Sequence, residues 1–287
     1  KKIFSDSRFR PDQLKIYPCQ IVKDSPLEKM YKRINYMPYS EKQTREVVSK
    51  MMEIIPEYCR VMRVMREIPK EKMVVEPLKL DLRKDVEEKL RSSGVKIKEI
   101  RMREIGFNPG KNIDEHLKLK IVNYKSSGGD EYFLEVVNKD NLLFGLLRLR
   151  IYEDKNYAPT STQDLHSLKV RDIDINNNLK NLNDSLTLSN YKKSSELGEQ
   201  GKLKNRGKNK IAIIRELHVY GQSLKLGEKS SKASQHQGLG KWLMGEAEKI
   251  SNKKKVSKIK IISGVGVREY YKKMGYVLED TYMVKKI

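Results

Sequence analysis

The sequence predicts a mixed α/β fold, with strands and helices alternating through its C-terminal third. Three stretches carry that expectation. Ile211 to Tyr220 is a short β-rich run that ends at Gly221. Gln235-His236-Gln237-Gly238-Leu239-Gly240 is a glycine-rich turn, and it opens a stretch whose apolar residues Leu239, Trp242, Leu243, Ala247 and Ile250 recur at helical spacing. Lys258 to Ile262 is a second strand. A turn at Ser263-Gly264-Val265-Gly266 leads from it into a helix marked by Val267, Tyr270, Tyr271 and Met274 and closed by Gly275. Val277 to Val284 reads as one last strand.

The middle stretch has chemical content. A glycine turn entering a helix exposes unpaired backbone N–H groups at the positive end of the helix dipole, and both suit a phosphate. The spacing Q-x-x-G-x-G is not the dinucleotide pattern G-x-G-x-x-G. On its own it also fits a surface loop before a glycine-capped helix.

Composition narrows the class. The chain has 287 residues, 38% hydrophobic and 34% charged, enough for one large or two modest domains with a lean core. A formal charge of +22 points to a polyanionic partner, nucleic acid ahead of an anionic membrane surface. No apolar run approaches the ~18 residues of a membrane span, and the first residues do not read as a signal peptide. Cys19 and Cys59 are far apart and lack metal-ligand spacing, so neither a zinc site nor a disulfide is expected, and a reducing, cytoplasmic setting is.

The N-terminal half reads as alternating elements. A turn near Pro11 precedes a short strand. Ser40 to Ile55 is a helix with a capping box at Ser40 and Gln43 and a face of Val47, Val48, Met51, Met52 and Ile55. Leu78 to Arg91 is amphipathic through Leu82, Val86 and Leu90. Tyr132 to Val137 and Leu142 to Tyr152 are paired strands. From about 154 to 208 the apolar pattern dissolves into Asn, Ser and Lys, which predicts a disordered insertion. The alternative is a basic arm using Lys192, Lys193, Lys202, Lys204, Arg206 and Lys208 on RNA.

The glycine motif, set between its strands, resembles the acetyl-CoA site of the GNAT acetyltransferases. The resemblance sharpens over the whole chain. F-R-P-D-x-L-K-I-Y-P from Phe9, R-V-x-R-V-x-R-x-I-P from Arg60, R-x-R-E-I-G from Arg101, F-G-L-L-R-L-R from Phe144, R-E-L-H-V-Y-G from Arg215, Q-H-Q-G-L-G from Gln235 and S-G-V-G-x-R-x-Y-Y-x-K-x-G-Y from Ser263 occur in that order. Together they are similar to the catalytic subunit of Elongator, an archaeal-style radical-SAM and GNAT protein that modifies the wobble uridine of tRNA.

That resemblance implies a GNAT acetyltransferase fold preceded by the C-terminal end of a radical-SAM TIM-like barrel and a linker. Its boundaries fall at 1–76 for the barrel remnant, 77–112 for the linker and 113–287 for the acetyltransferase half, insertion included. The opening residues read as mid-protein sequence, so an N-terminally truncated chain is expected. The [4Fe–4S] cluster and S-adenosylmethionine would belong to the intact protein, with their ligands outside this chain. Some relatives carry a cysteine cluster before R-E-V-G; here Ile97 to Met102 offers no comparable ligands, and no metal is expected. Partners would be tRNA and acetyl-CoA, with a homo-oligomer or Elongator-type subunits left open.

For the site, the resemblance places the acyl group along Ile211 to Tyr220. Glu216, Leu217, His218 and Val219 would meet the cofactor, and Gln235, Gly238, Leu239, Gly240 and Lys241 would hold its diphosphate. Strict alternation would put Ile214, Glu216, His218 and Tyr220 on one face and Ile213, Arg215, Leu217 and Val219 on the other. Tyr270 is the expected cofactor contact and proton donor to the leaving thiolate, with Glu216 and His218 as candidate bases. Each has a plainer reading: Glu216 as an ion-pair partner of Arg215 or Arg268, His218 as a packed histidine, both tyrosines as core aromatics. Arg60, Arg63, Arg66, Arg101 and Arg103 are expected to meet tRNA phosphates, with Glu67, Glu99 and Glu104 as competing partners. Two other functions remain compatible: a protein lysine acetyltransferase, and a non-catalytic RNA-binding module.

Overall fold

The computed structural model describes residues 1–75, 81–108, 116–153, 210–221 and 238–287. The insertion at 154–208 and Gln235 lie outside them. The N-terminal elements are α1 (Lys2–Ser5), β1 (Gln13–Lys15), α2 (Pro26–Ile34), α3 (Glu41–Glu53), β2 (Arg60–Arg63), α4 (Leu82–Ser92) and α5 (Ile100–Arg103). The rest forms β3 (Lys118–Ser126), β4 (Gly129–Val137), β5 (Leu143–Glu153), β6 (Lys210–Val219), α6 (Leu239–Lys253), β7 (Val256–Ile262), α7 (Arg268–Lys272), β8 (Val277–Glu279) and β9 (Tyr282–Lys286). The mixed α/β class expected from the sequence is the class observed.

β1 and β2 pair in parallel. A seven-stranded sheet runs in the order β3-β4-β5-β6-β7-β9-β8. β3, β4 and β5 form an antiparallel meander, and β6 and β7 are parallel, the connection that α6 makes possible. Residues 1–152 and 210–287 cluster as one compact unit.

Two apolar clusters flank the sheet. One sits under α6 and joins Leu239, Leu243, Met244 and Ala247 to Phe144, Leu147, Ala212, Ile214, Ile259 and Met283. The other joins α3, β2 and α4 to Phe133, Val137, Leu143 and Leu146 of the sheet. β4 and β5 are therefore covered on both sides, which is why their alternating leucines and arginines are all buried.

Several local expectations hold in detail. Ser40 caps α3 with the full reciprocal capping box to Gln43, and Leu82, Val86 and Leu90 are the buried face of α4. Others need correction. In α3 the buried residues are Thr44, Val48, Ser49 and Met52, while Val47 and Met51 are exposed, because the helix meets its neighbours along a narrow stripe. In α6, Met244 replaces Trp242 in the buried face. Arg101 and Arg103 share no strand face; they lie on the short helix α5. The last strand is a hairpin, β8 pairing β9 antiparallel, with Asp280 at φ 53° in the turn.

One ion pair is sealed inside the second cluster. Arg103 is 4% exposed and forks onto Glu135, Nη1 donating to Oε2 at 2.8 Å and Nη2 to Oε1 at 3.1 Å. Its remaining donors reach the carbonyls of Lys98 and Glu57. Glu135→Ala would strand a buried guanidinium and is expected to cost about 3–5 kcal/mol. Replacing both partners by apolar residues of similar volume should recover most of that loss. Urea unfolding of the single and double variants checks both outcomes.

Candidate acyl-carrier cleft and the network behind it

The site is built by the parting of two parallel strands. β6 pairs with β7 from Lys210 to Ile214, the last partners being Ile214 and Ile261. Beyond Ile214, β6 continues to Val219 with one edge no longer paired to β7. On its other side β6 stays beside β5, where the Tyr220 N–H donates to the Phe144 carbonyl at 2.8 Å. Gly145 allows that approach: a Cβ there would stand 3.2 Å from the His218 carbonyl oxygen and 3.3 Å from a Leu243 methyl.

The strand does not keep the alternation the sequence suggests. Ala212 and Ile214 pack under α6, and so does Leu217. The face therefore changes parity between Ile214 and Leu217, as at a β-bulge. The cause is electrostatic: the sequence neighbours Arg215 and Glu216 both turn into one cluster of buried charge.

Two clefts result. The first, about 560 Å³, is lined by Leu217, Val219, Gly238, Gly240, Lys241, Val267, Tyr270 and Tyr271. Gly238 is the N-cap of α6 at φ +106°, a conformation that favours glycine, and it brings no side-chain cap of its own. The first-turn N–H groups beside it are the unpaired donors of a helix start. Tyr270 and Tyr271 meet edge to face with centroids 5.2 Å apart. Burial raises both phenols above the ordinary tyrosine value.

The second cleft, about 520 Å³, is lined by Asp12, Gln13, Arg148, Arg215, Glu216 and His218. Arg148, 1% exposed, donates from Nε to Glu216 at 2.5 Å and from Nη1 to the Tyr58 carbonyl at 2.6 Å and Asp12 at 3.3 Å. Its guanidinium also lies 4.7 Å over the Phe133 ring. Arg215 forks onto Asp12 and reaches Glu131 at 2.8 Å. His218 Nε2 stands 3.3 Å from Glu216 at the mouth. The arginine partner expected for Glu216, Arg215 or Arg268, is thus Arg148 instead.

Of the predicted carrier contacts, Leu217, Val219, Gly238, Gly240, Lys241 and Tyr270 come together around the first cleft, and Leu239 is a buried residue of α6 beside it. Glu216 and His218 line the second. The sequence assigns Tyr271 only to packing or supporting Tyr270, and it does not single out Val267, Asp12 or Arg148 for either cleft, although Asp12 and Arg148 sit inside quoted motifs.

The arginines divide. Arg63 and Arg66 are exposed. Arg60 is held by Glu104 and donates to the Tyr220 hydroxyl at 3.3 Å. Arg101 stacks on Phe107 at 4.0 Å and lies 3.8 Å from Glu87. Arg103 is buried and turned inward onto Glu135 and two backbone carbonyls, so it is not open to a phosphate. Burial and a fork of carboxylate and carbonyl acceptors explain why spacing alone misassigned it.

Residues 11–92 match the Radical_SAM C-terminal domain family. The chain is 33% identical to the tRNA uridine(34) acetyltransferase of Dehalococcoides mccartyi, over 100% of this chain and 53% of that protein. It is 31% identical to Elongator complex protein 3 of Schizosaccharomyces pombe, over 99% of this chain and 45% of that protein. A solved structure, the archaeal Methanocaldococcus infernus Elp3 with an N-terminal deletion, superposes with TM-score 0.71 at 31% identity, over 100% of this chain and 58% of that one. Over its whole length this chain is similar to Elongator protein 3. It spans about half the length of the curated relatives it matches. Among its described residues no helix is long and apolar enough to cross a membrane, and no group of three or more His, Cys, Asp or Glu is placed to hold a metal ion.

Asp12 ties the Elongator-type F-R-P-D turn to β6, and pH should reveal it. Burial pushes its carboxyl upward, but the Arg215 hydrogen bond and charge, with Arg148, carry it below the usual range. The stability this contributes is present above the unfolded carboxyl's ~3.9 and fades as pH falls through the lower folded value. Asp12→Asn should therefore be less stable than the parent at neutral pH, with the two urea midpoints converging at the acid end.

Proposed function

We propose that this chain forms the acetyl-CoA-cleaving part of an enzyme that modifies the wobble uridine of tRNA, and contributes part of its tRNA surface. The observation that carries this is the convergence of Leu217, Val219, Gly238, Gly240, Lys241 and Tyr270 on one cleft at the parting of β6 and β7. The names of the relatives, tRNA uridine(34) acetyltransferase and Elongator complex protein 3, support the RNA substrate. In this reading residues 1–76 complete a radical-SAM domain, 77–112 link it, and 113–287 are the GNAT half.

The chemistry follows from the parts. The diphosphate of acetyl-CoA sits on the opening turn of α6, with Lys241 adding charge. The pantetheine arm lies along the unpaired edge of β6 and takes hydrogen bonds from its backbone, as an added strand would. The thioester then stands at the strand between the two clefts. Water attacks its carbonyl carbon, the C–S bond breaks, and the departing thiolate takes the Tyr270 phenolic proton. A phenol whose pKa burial has raised is fully protonated at neutral pH, as a donor must be. Glu216 and His218, which line the second cleft, are the candidate acceptors of the water's proton.

In the whole enzyme, radical chemistry from a [4Fe–4S] cluster and S-adenosylmethionine would direct the acetyl carbon to C5 of uridine instead, giving a carboxymethyl group. This chain's thiols do not fit that cluster. Cys19 is exposed, Cys59 is buried and pushed up to about 12 by burial, and a cluster takes three or four thiolates. On the RNA side, the exposed Arg63 and Arg66 are the family-motif arginines best placed for phosphate.

Calorimetry should detect acetyl-CoA binding, and Gly238→Ala should weaken it by about tenfold or more. Tyr270→Phe should leave the Kd near the parent's and slow release of free CoA by about 10²-fold; unchanged release would remove the phenol from the mechanism. Charge reversal at Arg63 and Arg66 together should weaken tRNA affinity across sequences and flatten the salt dependence by roughly two phosphate contacts.

A further inference from the structure

We infer that Gly240 is a positioning residue for Tyr270: its missing side chain is the notch that seats the phenolic oxygen, not a clearance for the carrier's diphosphate. The inference rests on the acyl-carrier reading of the first cleft, and goes beyond it by separating the duties of the two glycines in the turn.

The geometry turns on one atom. A Cβ built on Gly240 would stand 2.7 Å from the Tyr270 hydroxyl oxygen, closer than real Cβ atoms come to anything. The next neighbours, Tyr270 Cζ at 3.7 Å and a Val219 methyl at 3.8 Å, are at ordinary contact distance. Only the oxygen stands in the way. The phenol thus bridges from α7 to the first turn of α6 beside Val219, across the mouth where the strands part. Gly238 differs in kind: a Cβ there would meet none of the described residues within 4 Å, and what demands glycine is its φ of +106°. Gly238 shapes the turn that presents backbone N–H groups, while Gly240 accepts a neighbouring side chain.

An alanine at Gly240 therefore need not unfold the protein, because a phenol can swing aside. What it removes is the position from which that phenol reaches the thioester sulfur. The prediction is specific to the oxygen: once Tyr270→Phe has deleted it, the alanine methyl fits and has nothing left to displace.

The test compares the parent, Gly238→Ala, Gly240→Ala, Tyr270→Phe and the Gly240→Ala/Tyr270→Phe double variant. Binding of 3′-phosphoadenosine 5′-diphosphate, the diphosphate half of the carrier, should be unchanged in Gly240→Ala and weakened about tenfold in Gly238→Ala. Release of free thiol from acetyl-CoA and from S-acetylpantetheine, which lacks the diphosphate, should fall by the same factor in Gly240→Ala, about 10²-fold. The double variant should be no slower than Tyr270→Phe alone. With 3-fluorotyrosine placed at position 270, the ligand-free 19F resonance should move when Gly240→Ala is introduced. Loss of the diphosphate half equal to that of Gly238→Ala, additive rate losses in the double variant, or an unmoved 19F signal would each overturn the assignment. Should no variant bind the diphosphate half, the carrier reading falls, and the ligand-free resonance still decides whether Gly240 seats the phenol.

Discussion

The structure depends on a strand that loses a partner. While β6 lies between β5 and β7, its backbone is satisfied on both edges, and its side chains fill the core under α6. After Ile214 the β7 ladder ends, yet β6 runs on for five residues. Buried backbone groups left unpaired are costly, so such an edge persists only where solvent or a guest can reach it. Everything assigned to the carrier follows from that vacancy: the cleft, the exposed first turn of α6, and the phenol that spans from α7.

The charge cluster behind β6 is the counterpart of that vacancy. Asp12, Glu131 and Glu216 interleave with Arg148, Arg150 and Arg215. Deeply buried charge is tolerable when each ion has a partner in good geometry. Here the pairing also fixes the twist of β6. Arg215 and Glu216 reach the same cluster, so the strand steps out of alternation and presents Leu217 and Val219 to the carrier side.

Much of this was legible in the residues. Periodicity gave the helices at Glu41–Glu53, Leu82–Ser92 and Leu239–Lys253, because each buries one stripe against a single layer. The glycine turn and the tyrosine helix were readable as neighbours because the βαβ connection leaves them little choice. What could not be read was parity and partnership. The step at Arg215 and Glu216 is set by Arg148 and Asp12, which are distant in sequence. Arg103 looks no different from Arg63 on paper, and only Glu135, brought over by β4, distinguishes a buried structural cation from one open to solvent. The terminal hairpin was missed because Asp280 turns the chain in a left-handed conformation that its residue type permits but does not require.

The guanidinium of Arg148 has a consequence for how such a protein could be divided. It reaches backward to Tyr58 and Asp12 and sideways to Glu216, so β6 borrows its shape from the N-terminal elements. Excising the seven-stranded sheet as a free-standing module would bare that cation and the aromatic ring beneath it. The N-terminal residues and the sheet are therefore parts of one folded unit.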